Sequence, residues 1–387
     1  MLFPHPFGIA VPLCSAPMRS RCRHSATLDV SAIQRDAIVP LIANDFHCFR
    51  RNMTTFVASE FHPASFLENA HAQTFAAALL GRTAFVPKVE PWFISVAGEK
   101  NQVRCDCSWQ DFRKGSTTAV ICHGLGGSSA SPIVIGMAGA LWKAGMNVVR
   151  YNMRNCGGTE HRCRTLYHSG MHGDMLRVLD ELIARGCDSV VLVGFSAGGN
   201  LMLNAAAALG QSAPPQLKAV ASICSAMDVA AAADALHLGL SRLYEWMFVR
   251  ELVELFQKKV KLYPDIFHLS HLRKFHSIRE FDNDITAPYS GYRDADDIYA
   301  SISSSRWVER IAVPTLVIQS NDDPFIRLLP TTREKVRRNL NITFVETEQG
   351  GHCGFVAQGR RWWVEEVIEA FFASVIGREP VVPALRQ

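Results

Sequence analysis

One short stretch constrains the fold of this 387-residue chain more than any other. Residues 190–209, VVLVGFSAGGNLMLNAAAAL, run from β-branched apolar residues through a serine among glycines into an Ala/Leu-rich segment. This order predicts a buried strand, a sharp turn and a helix. Gly194 and Gly198 lie two residues before and two residues after Ser196, where so sharp a turn has room only for small residues. We therefore expect Ser196 to adopt a strained backbone conformation; the alternative is an ordinary glycine-rich turn.

Strands and helices alternate on both sides of this stretch. Apolar runs typical of strands are separated by helical patterns, with strands at 117–122, 146–154, 188–194 and 217–226 and helices from about Pro132 to Ala144 and from about Gly170 to Arg185. This rhythm predicts an α/β fold with a doubly wound, mostly parallel sheet that is buried on both faces. Residues 91–97 and 102–109 alternate apolar and polar residues, which predicts an antiparallel hairpin before it.

The alternation stops after Met227. As far as about Arg310 the sequence contains no short apolar strand, and residues 240–260 read as one long helix. We expect a helical cap at about 227–305, inserted before the strand of VPTLVIQSNDDPF. The apolar residues of its long helix can line an acyl pocket or touch a membrane surface, and packing inside the cap explains them equally well: Leu243, Trp246, Met247, Leu252 and Phe256.

The two ends of the chain differ in pattern. Residues 1–60 are poorly patterned and are expected to form an N-terminal extension, whereas 61–380 form one domain with its cap. A secretory signal carries its positive charge before its apolar region, and this N-terminus has the reverse order. An Arg-rich, acid-poor leader is the weaker alternative, and Met53 opens a more orderly segment that could be the true start. No apolar stretch approaches the roughly 18 to 20 residues of a membrane span.

Composition excludes several classes of function. Forty basic and 36 acidic residues give a net charge of +4 without a polybasic run, which argues against a nucleic-acid partner. The eleven scattered cysteines are typical of reduced thiols in a cytoplasmic protein. Neither the cysteine pairs nor the histidine clusters have metal-site spacing. The glycine-rich loop at 124–127 lacks the spacing of a dinucleotide or phosphate loop. We expect no metal and no cofactor.

The remaining motifs supply partners for a nucleophilic serine. A serine hydroxyl needs a base within hydrogen-bonding distance, and an acid must orient that base. After Ser196 and the cap, one apolar strand ends in SNDDP and the next is followed by GGHCGF, which contains His352. Carboxyl ends of parallel strands meet at one edge of the sheet, so the three groups should converge. We favour Asp323 as the acid, because the turn should direct it at His352, and Asp322 remains the alternative.

An acyl-transfer reaction also requires two N–H donors for the developing oxyanion. The sequence offers the backbone N–H of Ala197, directly after the serine, and that of Leu125 in the HGLGG loop. His123 in the same loop is expected to order the turn rather than to act as a base.

Taken together, these motifs resemble the YheT-like branch of the α/β-hydrolases, a group of serine esterases. The matching stretches run from about Phe66 to Phe372 and include ENAHAQTF, HGLGGSSASP, RNCGG, LYHSG, GFSAGGN, IREFDNDITAPYSGYRDADDIY, SNDDPF and GGHCGF. The chain departs from the family pattern at Ala70, Gly126, Asn155 and Ala197. The resemblance implies an α/β-hydrolase fold and hydrolysis of carboxylic esters, on a small-molecule or lipid-like substrate. Transfer of the acyl group to an alcohol or thiol, and a catalytically silent binding module, are the alternatives.

Overall fold

The computed structural model describes residues 56–80, 82, 88–98 and 100–377. Almost all of the predicted N-terminal extension, with its alternative interpretations as a leader or an upstream start, lies outside the described residues. Of that segment, residues 56–60 pack on the domain: the ring of Phe56 lies 5.4 Å from that of Phe371, and Ser59 accepts a hydrogen bond from Trp363. No helix in the described residues combines the length and apolar character needed to cross a bilayer.

An eight-stranded sheet forms the centre of the domain, in the order β1-β2-β4-β3-β5-β6-β7-β8. Its strands are β1 Glu90–Ser95, β2 Gln102–Ser108, β3 Thr118–Cys122, β4 Asn147–Asn152, β5 Val190–Phe195, β6 Leu217–Ile223, β7 Thr315–Ser320 and β8 Ile342–Thr347. The first two strands form the predicted antiparallel hairpin, and β3 to β8 pair in parallel. The prediction of a mostly parallel, doubly wound sheet is therefore confirmed. Two short strands, β9 Val356–Ala357 and β10 Arg361–Trp362, form a separate pair.

The helices lie along the chain as the alternation indicates. They are α1 Ala70–Leu79, α2 Pro132–Lys143, α3 His172–Ala184, α4 Ala197–Leu209, α5 Val229–Leu236, α6 Ser241–Leu262, α7 Ile278–Phe281, α8 Ala287–Tyr289, α9 Ala295–Ile302, α10 Pro330–Arg338 and α11 Trp363–Ile376. The last helix begins three residues later than predicted, because β9 and β10 occupy part of the preceding segment.

Successive residues of the central strands face opposite sides of the sheet, and both sides are buried. In β3, Val120 packs in the core that contains residues of α3 and α4, whereas Ile121 packs in the core of α2 and α11. The five residues of this strand are all buried, as the continuous apolar sequence requires. Helices on both faces therefore hold the sheet, whose carboxyl edge carries the candidate active-site residues.

Between Ile223 and Thr315, which the structure describes throughout, the chain forms helices and no strand. The 22-residue helix α6 dominates this cap. A separate apolar core, which includes Phe256, Phe267 and Phe281, lies between helices of the cap. A π-helical turn at Asp282–Thr286 lies between α7 and α8.

Candidate active site

The turn after β5 has the strained geometry predicted from the sequence. Ser196 has φ 55° and ψ −119°, a left-handed conformation that is rare for a residue with a side chain. The turn is tight because a Cβ on Gly194 would overlap the carbonyl oxygen of Gly198, and one on Gly198 would overlap that of His123. Ser196 is half-buried and directly precedes α4. Close packing at this strand-to-helix junction therefore holds the Ser196 hydroxyl in a fixed position.

The loop after β3 lies against this turn. An added Cβ on Gly124 would contact Ser196 Cβ at 3.2 Å, so only glycine lets the two backbones approach this closely. Leu125 and Ala197 line one cavity together with Ser196. Ala197 is the first residue of α4, where a backbone N–H has no acceptor within the helix. This placement suits the two N–H donors that the sequence predicts, and their role as an oxyanion hole stays a prediction.

His123 orders the loop from inside. Its Nδ1 lies 2.7 Å from Gly124 O, and its Nε2 accepts a hydrogen bond of 3.2 Å from the backbone N–H of Met153. Burial lowers the pKa of His123 to about 4, so the imidazole is neutral. The side chain is fully buried and holds both strand ends, as expected for a residue that orders the turn.

His352 is paired with Asp323. The distance from His352 Nδ1 to Asp323 Oδ2 is 2.8 Å, and the carboxylate is completely buried. Its other oxygen accepts backbone hydrogen bonds from Phe325 and Ile326, at 3.1 and 2.8 Å. The carboxylate is thereby fixed in one orientation, with His352 Nε2 as the nitrogen that remains for a substrate or for Ser196.

The neighbouring carboxylate, Asp322, has different hydrogen-bond partners. Asp322 Oδ1 accepts hydrogen bonds from the backbone N–H of Gly351, at 2.8 Å, and from the Ser320 hydroxyl. Asp322 therefore ties the histidine loop to the end of β7, whereas Asp323 contacts the imidazole. The geometry supports Asp323 as the acid, and the assignment stays a prediction.

The Asp323 carboxylate controls the charge of His352. Burial alone would lower the pKa of the imidazole, but the attraction of Asp323 and the contact with Cys353 outweigh it and raise the pKa above the usual range. The base at this site is therefore expected to hold its proton more strongly than a free histidine.

A cavity of about 870 Å³, including the part open to solvent, contains Ser196. Its walls come from the carboxyl edge of the sheet and from the cap, and they are mainly apolar. Phe325 lines it and packs against the imidazole of His352, with the ring centres 4.1 Å apart.

Comparisons with known proteins decide which family this is. The alpha/beta hydrolase fold family matches residues 119–357. The chain is 30% identical over 313 residues to "Putative esterase YheT" of Escherichia coli strain K12, covering 77% of this chain and 88% of that protein. The chain belongs to the α/β-hydrolase family, in its YheT-like branch.

A more distant relative and a solved structure are also similar to this chain. "Medium-chain fatty acid ethyl ester synthase/esterase 2" of Saccharomyces cerevisiae is 28% identical over 282 residues, which cover 66% of this hydrolase and 61% of the yeast protein. The crystal structure of 2,6-dihydroxy-pseudo-oxynicotine hydrolase has a TM-score of 0.51 and 16% identity, over 81% of this chain and 74% of that one. At such identity the likeness shows the fold alone.

No role for the residues of the ENAHAQTF motif follows from the sequence, but their contacts in the structure show one. Helix α1 of the hydrolase holds the histidine loop: Thr74 Oγ1 accepts the backbone N–H of His352 at 2.9 Å. The Gln73 amide donates to Val356 O at 3.1 Å and accepts from Val356 N at 2.8 Å. The signal was present as a polar Gln-Thr pair in an apolar helix, but its partners lie 278 and 283 residues away.

Two thiols near His352 were also missed. Cys224, Cys353 and His352 form a group whose ligand-type atoms lie within 4.8 Å of one another. This group differs from every cysteine and histidine cluster that the sequence singled out. Cys224 and Cys353 both have positive φ, at 44° and 58°, so close packing behind the histidine loop holds them in place.

The apolar residues of α6 divide into two sets. Leu252 lines the cavity and Phe256 is fully buried in the cap core. Leu243, Trp246 and Met247 are 52%, 59% and 43% exposed, so one face of the long helix is open to solvent. Packing inside the cap is therefore correct for Phe256, Leu252 lines a cavity, and an acyl pocket and a membrane contact stay predictions.

Proposed function

We propose that this hydrolase cleaves carboxylic esters through Ser196, His352 and Asp323, with an acyl-enzyme intermediate. The observation that carries the proposal is the fixed pair of His352 and buried Asp323 at the same sheet edge as the strained Ser196. The relatives named as esterases support hydrolysis of an ester bond. The mainly apolar cavity favours a substrate with an acyl chain or other lipid-like part.

In the proposed mechanism, Ser196 Oγ attacks the ester carbonyl while His352 Nε2 takes its proton. The Asp323 carboxylate holds the imidazole through Nδ1 and stabilises the imidazolium that forms. The N–H groups of Leu125 and Ala197 bind the developing oxyanion. His352 then returns the proton to the leaving alcohol. In the second step His352 activates water, which attacks the acyl-enzyme and releases Ser196.

Labelling with a fluorophosphonate probe tests the assignment. The wild-type protein should react, and Ser196→Ala should abolish both labelling and ester hydrolysis. Ser212→Ala replaces an exposed serine near the far end of α4 and serves as the matched control. Labelling that survives Ser196→Ala would sink the assignment.

A second candidate is acyl transfer on the same residues, and the name of the yeast synthase/esterase favours it. The acyl-enzyme would then react with an alcohol in place of water. Product analysis with and without ethanol separates the two reactions. An ethyl ester formed in excess of free acid, in the presence of millimolar ethanol, would establish transfer; free acid alone would establish hydrolysis.

A further inference from the structure

The cavity of the hydrolase contains a carboxylate that the proposed mechanism does not use. Asp282 lines the same cavity as Ser196 but comes from the cap, at the start of the π-helical turn. Most other cap residues around it are apolar, such as Leu236, Phe248 and Ile298. A π-helical turn is rare and is found frequently at functional sites.

Two hydroxyl groups hold Asp282 without neutralising it. Tyr299 donates its phenolic hydrogen to Asp282 Oδ2 at 2.7 Å, and the hydroxyl of Thr286 provides a second hydrogen bond. Both residues also line the cavity. A carboxylate can accept about four hydrogen bonds, so acceptor capacity remains beyond these two donors.

Within the described residues Asp282 forms no salt bridge. The nearby Arg279 instead pairs with Asp234, at 2.8 Å, and with Asp296. His168 lines the cavity from the body side, and burial lowers its pKa to about 4, so it brings no positive charge. Burial likewise raises the pKa of Asp282. Asp282 therefore keeps acceptor capacity in a mainly apolar cavity, where a further hydrogen-bond donor would stabilise it.

The mainly apolar walls of the cavity favour a hydroxyl, rather than a cation, as the group that binds Asp282. A cation would lose most of its hydration in these mainly apolar walls, at a cost that one carboxylate with a raised pKa repays poorly. A hydroxyl loses far less and donates one hydrogen bond, which suits Asp282 whether or not it is ionised. The same cavity would bind an unsubstituted chain with its methyl end against the carboxyl group.

A second, polar groove indicates which part of the substrate carries the hydroxyl. This groove shares the lining residues Leu125, Phe248 and Leu252 with the cavity. It also contains Glu251 and Lys258. A polar leaving alcohol suits the groove, so the apolar cavity is left for the acyl chain.

We propose that Asp282 binds a hydroxyl group on the acyl chain of the substrate, so that this hydrolase selects hydroxyacyl esters over unsubstituted esters of equal length. The proposal rests on the ester hydrolysis proposed above and adds its substrate class. A wholly apolar pocket would have the opposite preference, because the hydroxyl would lose its water without a partner.

The test compares pairs of p-nitrophenyl esters with C4 to C12 acyl chains, each with and without a terminal hydroxyl, by their ratio of kcat/KM. In the wild-type protein we expect a ratio of about ten or more at one or more chain lengths, as a hydrogen bond to a buried carboxyl group provides. Asp282→Leu keeps the shape of the side chain and removes every acceptor, so it should bring this ratio to about one or below. Asp284→Leu is the matched control, since Asp284 lies on the same turn, outside this cavity, and pairs with Arg273.

A second variant separates binding from shaping of the cap. Tyr299→Phe removes the phenolic hydroxyl and keeps the Asp282 carboxyl group. The ratio of kcat/KM for the two esters should therefore be retained, even if both rates change. If Asp282 acted only by holding Tyr299, this variant would abolish the ratio as Asp282→Leu does, and the proposal would be wrong.

Each remaining outcome is also decisive. A wild-type ratio near one at every length, with Ser196-dependent hydrolysis of the unsubstituted esters, would overturn this inference alone. Hydrolysis that persists in Ser196→Ala would overturn the proposed function instead. A ratio that stays at about ten or more in Asp282→Leu would show that another group binds the hydroxyl, and would also overturn this inference.

Discussion

The two walls of the cavity are built in different ways. At the sheet edge, Ser196 is held by a strained dihedral angle and close glycine contacts, and the histidine loop is held through its backbone N–H groups, which donate to the side chains of Asp322 and Thr74. In the cap, Asp282 is held by the side-chain hydroxyls of Tyr299 and Thr286. The comparison teaches that the sheet fixes positions for proposed bond making, which tolerates little error, whereas the cap supplies a surface whose chemistry can vary.

The largest expected effect is at the sheet edge. Asp323→Asn should lower kcat/KM by about 10³- to 10⁴-fold, because the amide cannot hold the imidazole in the required tautomer. Asp322→Asn should cost about tenfold or less, since an amide oxygen can still accept the Gly351 N–H. Ester hydrolysis kinetics of the two variants check this, and equal losses would contradict the choice of Asp323.

The same pair predicts a change in pH dependence. The base must be neutral to act, so kcat/KM falls as the pH drops below the pKa of His352. Because Asp323 raises that pKa, the acidic limb of the wild-type profile should lie above pH 6.5. Loss of the carboxylate lowers the pKa, and the limb of Asp323→Asn should move to lower pH. A limb that stays in place would mean that Asp323 acts only on folding.

A smaller but still large effect is expected for the turn. Gly198→Ala places a Cβ that overlaps His123 O and lies 2.9 Å from Cys122 O, both main-chain atoms that cannot move aside cheaply. We expect a loss of about 100-fold in kcat/KM and about 1 to 3 kcal/mol in stability. Gly173→Ala, in the first turn of α3, meets nothing within 4 Å and should be neutral. Urea denaturation with parallel kinetics measures both.

The contact between α1 and the histidine loop should give about a tenfold effect. Thr74→Val removes the oxygen that accepts the His352 N–H and keeps the shape of the side chain. The imidazole should then shift, which lowers kcat with little change in KM. Thr74→Ser keeps the hydroxyl and should restore activity to within about threefold. If valine and serine lower the rate equally, packing rather than the hydrogen bond is responsible.

The smallest effect on chemistry is expected in the cap. Lys259 is fully buried and donates to Asn155 Oδ1 and Glu160 O, each at 3.0 Å, and to Cys163 O. Lys259→Met leaves these acceptors unpaired and should destabilise the protein by about 2 kcal/mol. Turnover of a short ester at 25 °C should change by less than about twofold.

The neighbouring lysine is the control for this prediction. Lys258 is 61% exposed and pairs with Glu160, so Lys258→Met should change the stability by less than about 0.5 kcal/mol. If Lys259→Met lowers the rate of short-ester hydrolysis as strongly as it lowers the stability, the contrast between the sheet edge and the cap is wrong.

Features that depend on a few neighbouring residues could be predicted from the sequence, and features that depend on distant residues could not. The turn around Ser196 and the parallel strands were predictable, because periodicity and glycine spacing act over a few residues. The choice between Asp322 and Asp323 stayed open, because the path of the turn decides which of the two carboxylates contacts His352. The exposed face of α6 was not predicted either, because an apolar helix does not show in its own sequence which side the rest of the cap covers.

The sequence by itself determined the sheet, the sharp turn at Ser196, the order of Ser196, Asp323 and His352 along the chain, and the family. These follow from interactions along one strand or one turn. Only the tertiary structure decided that α1 holds His352, that Cys224 and Cys353 lie behind it, and that Asp282 lines the cavity. Those contacts join segments far apart in the chain, and their partners are chosen by packing of the whole domain, which no local pattern records.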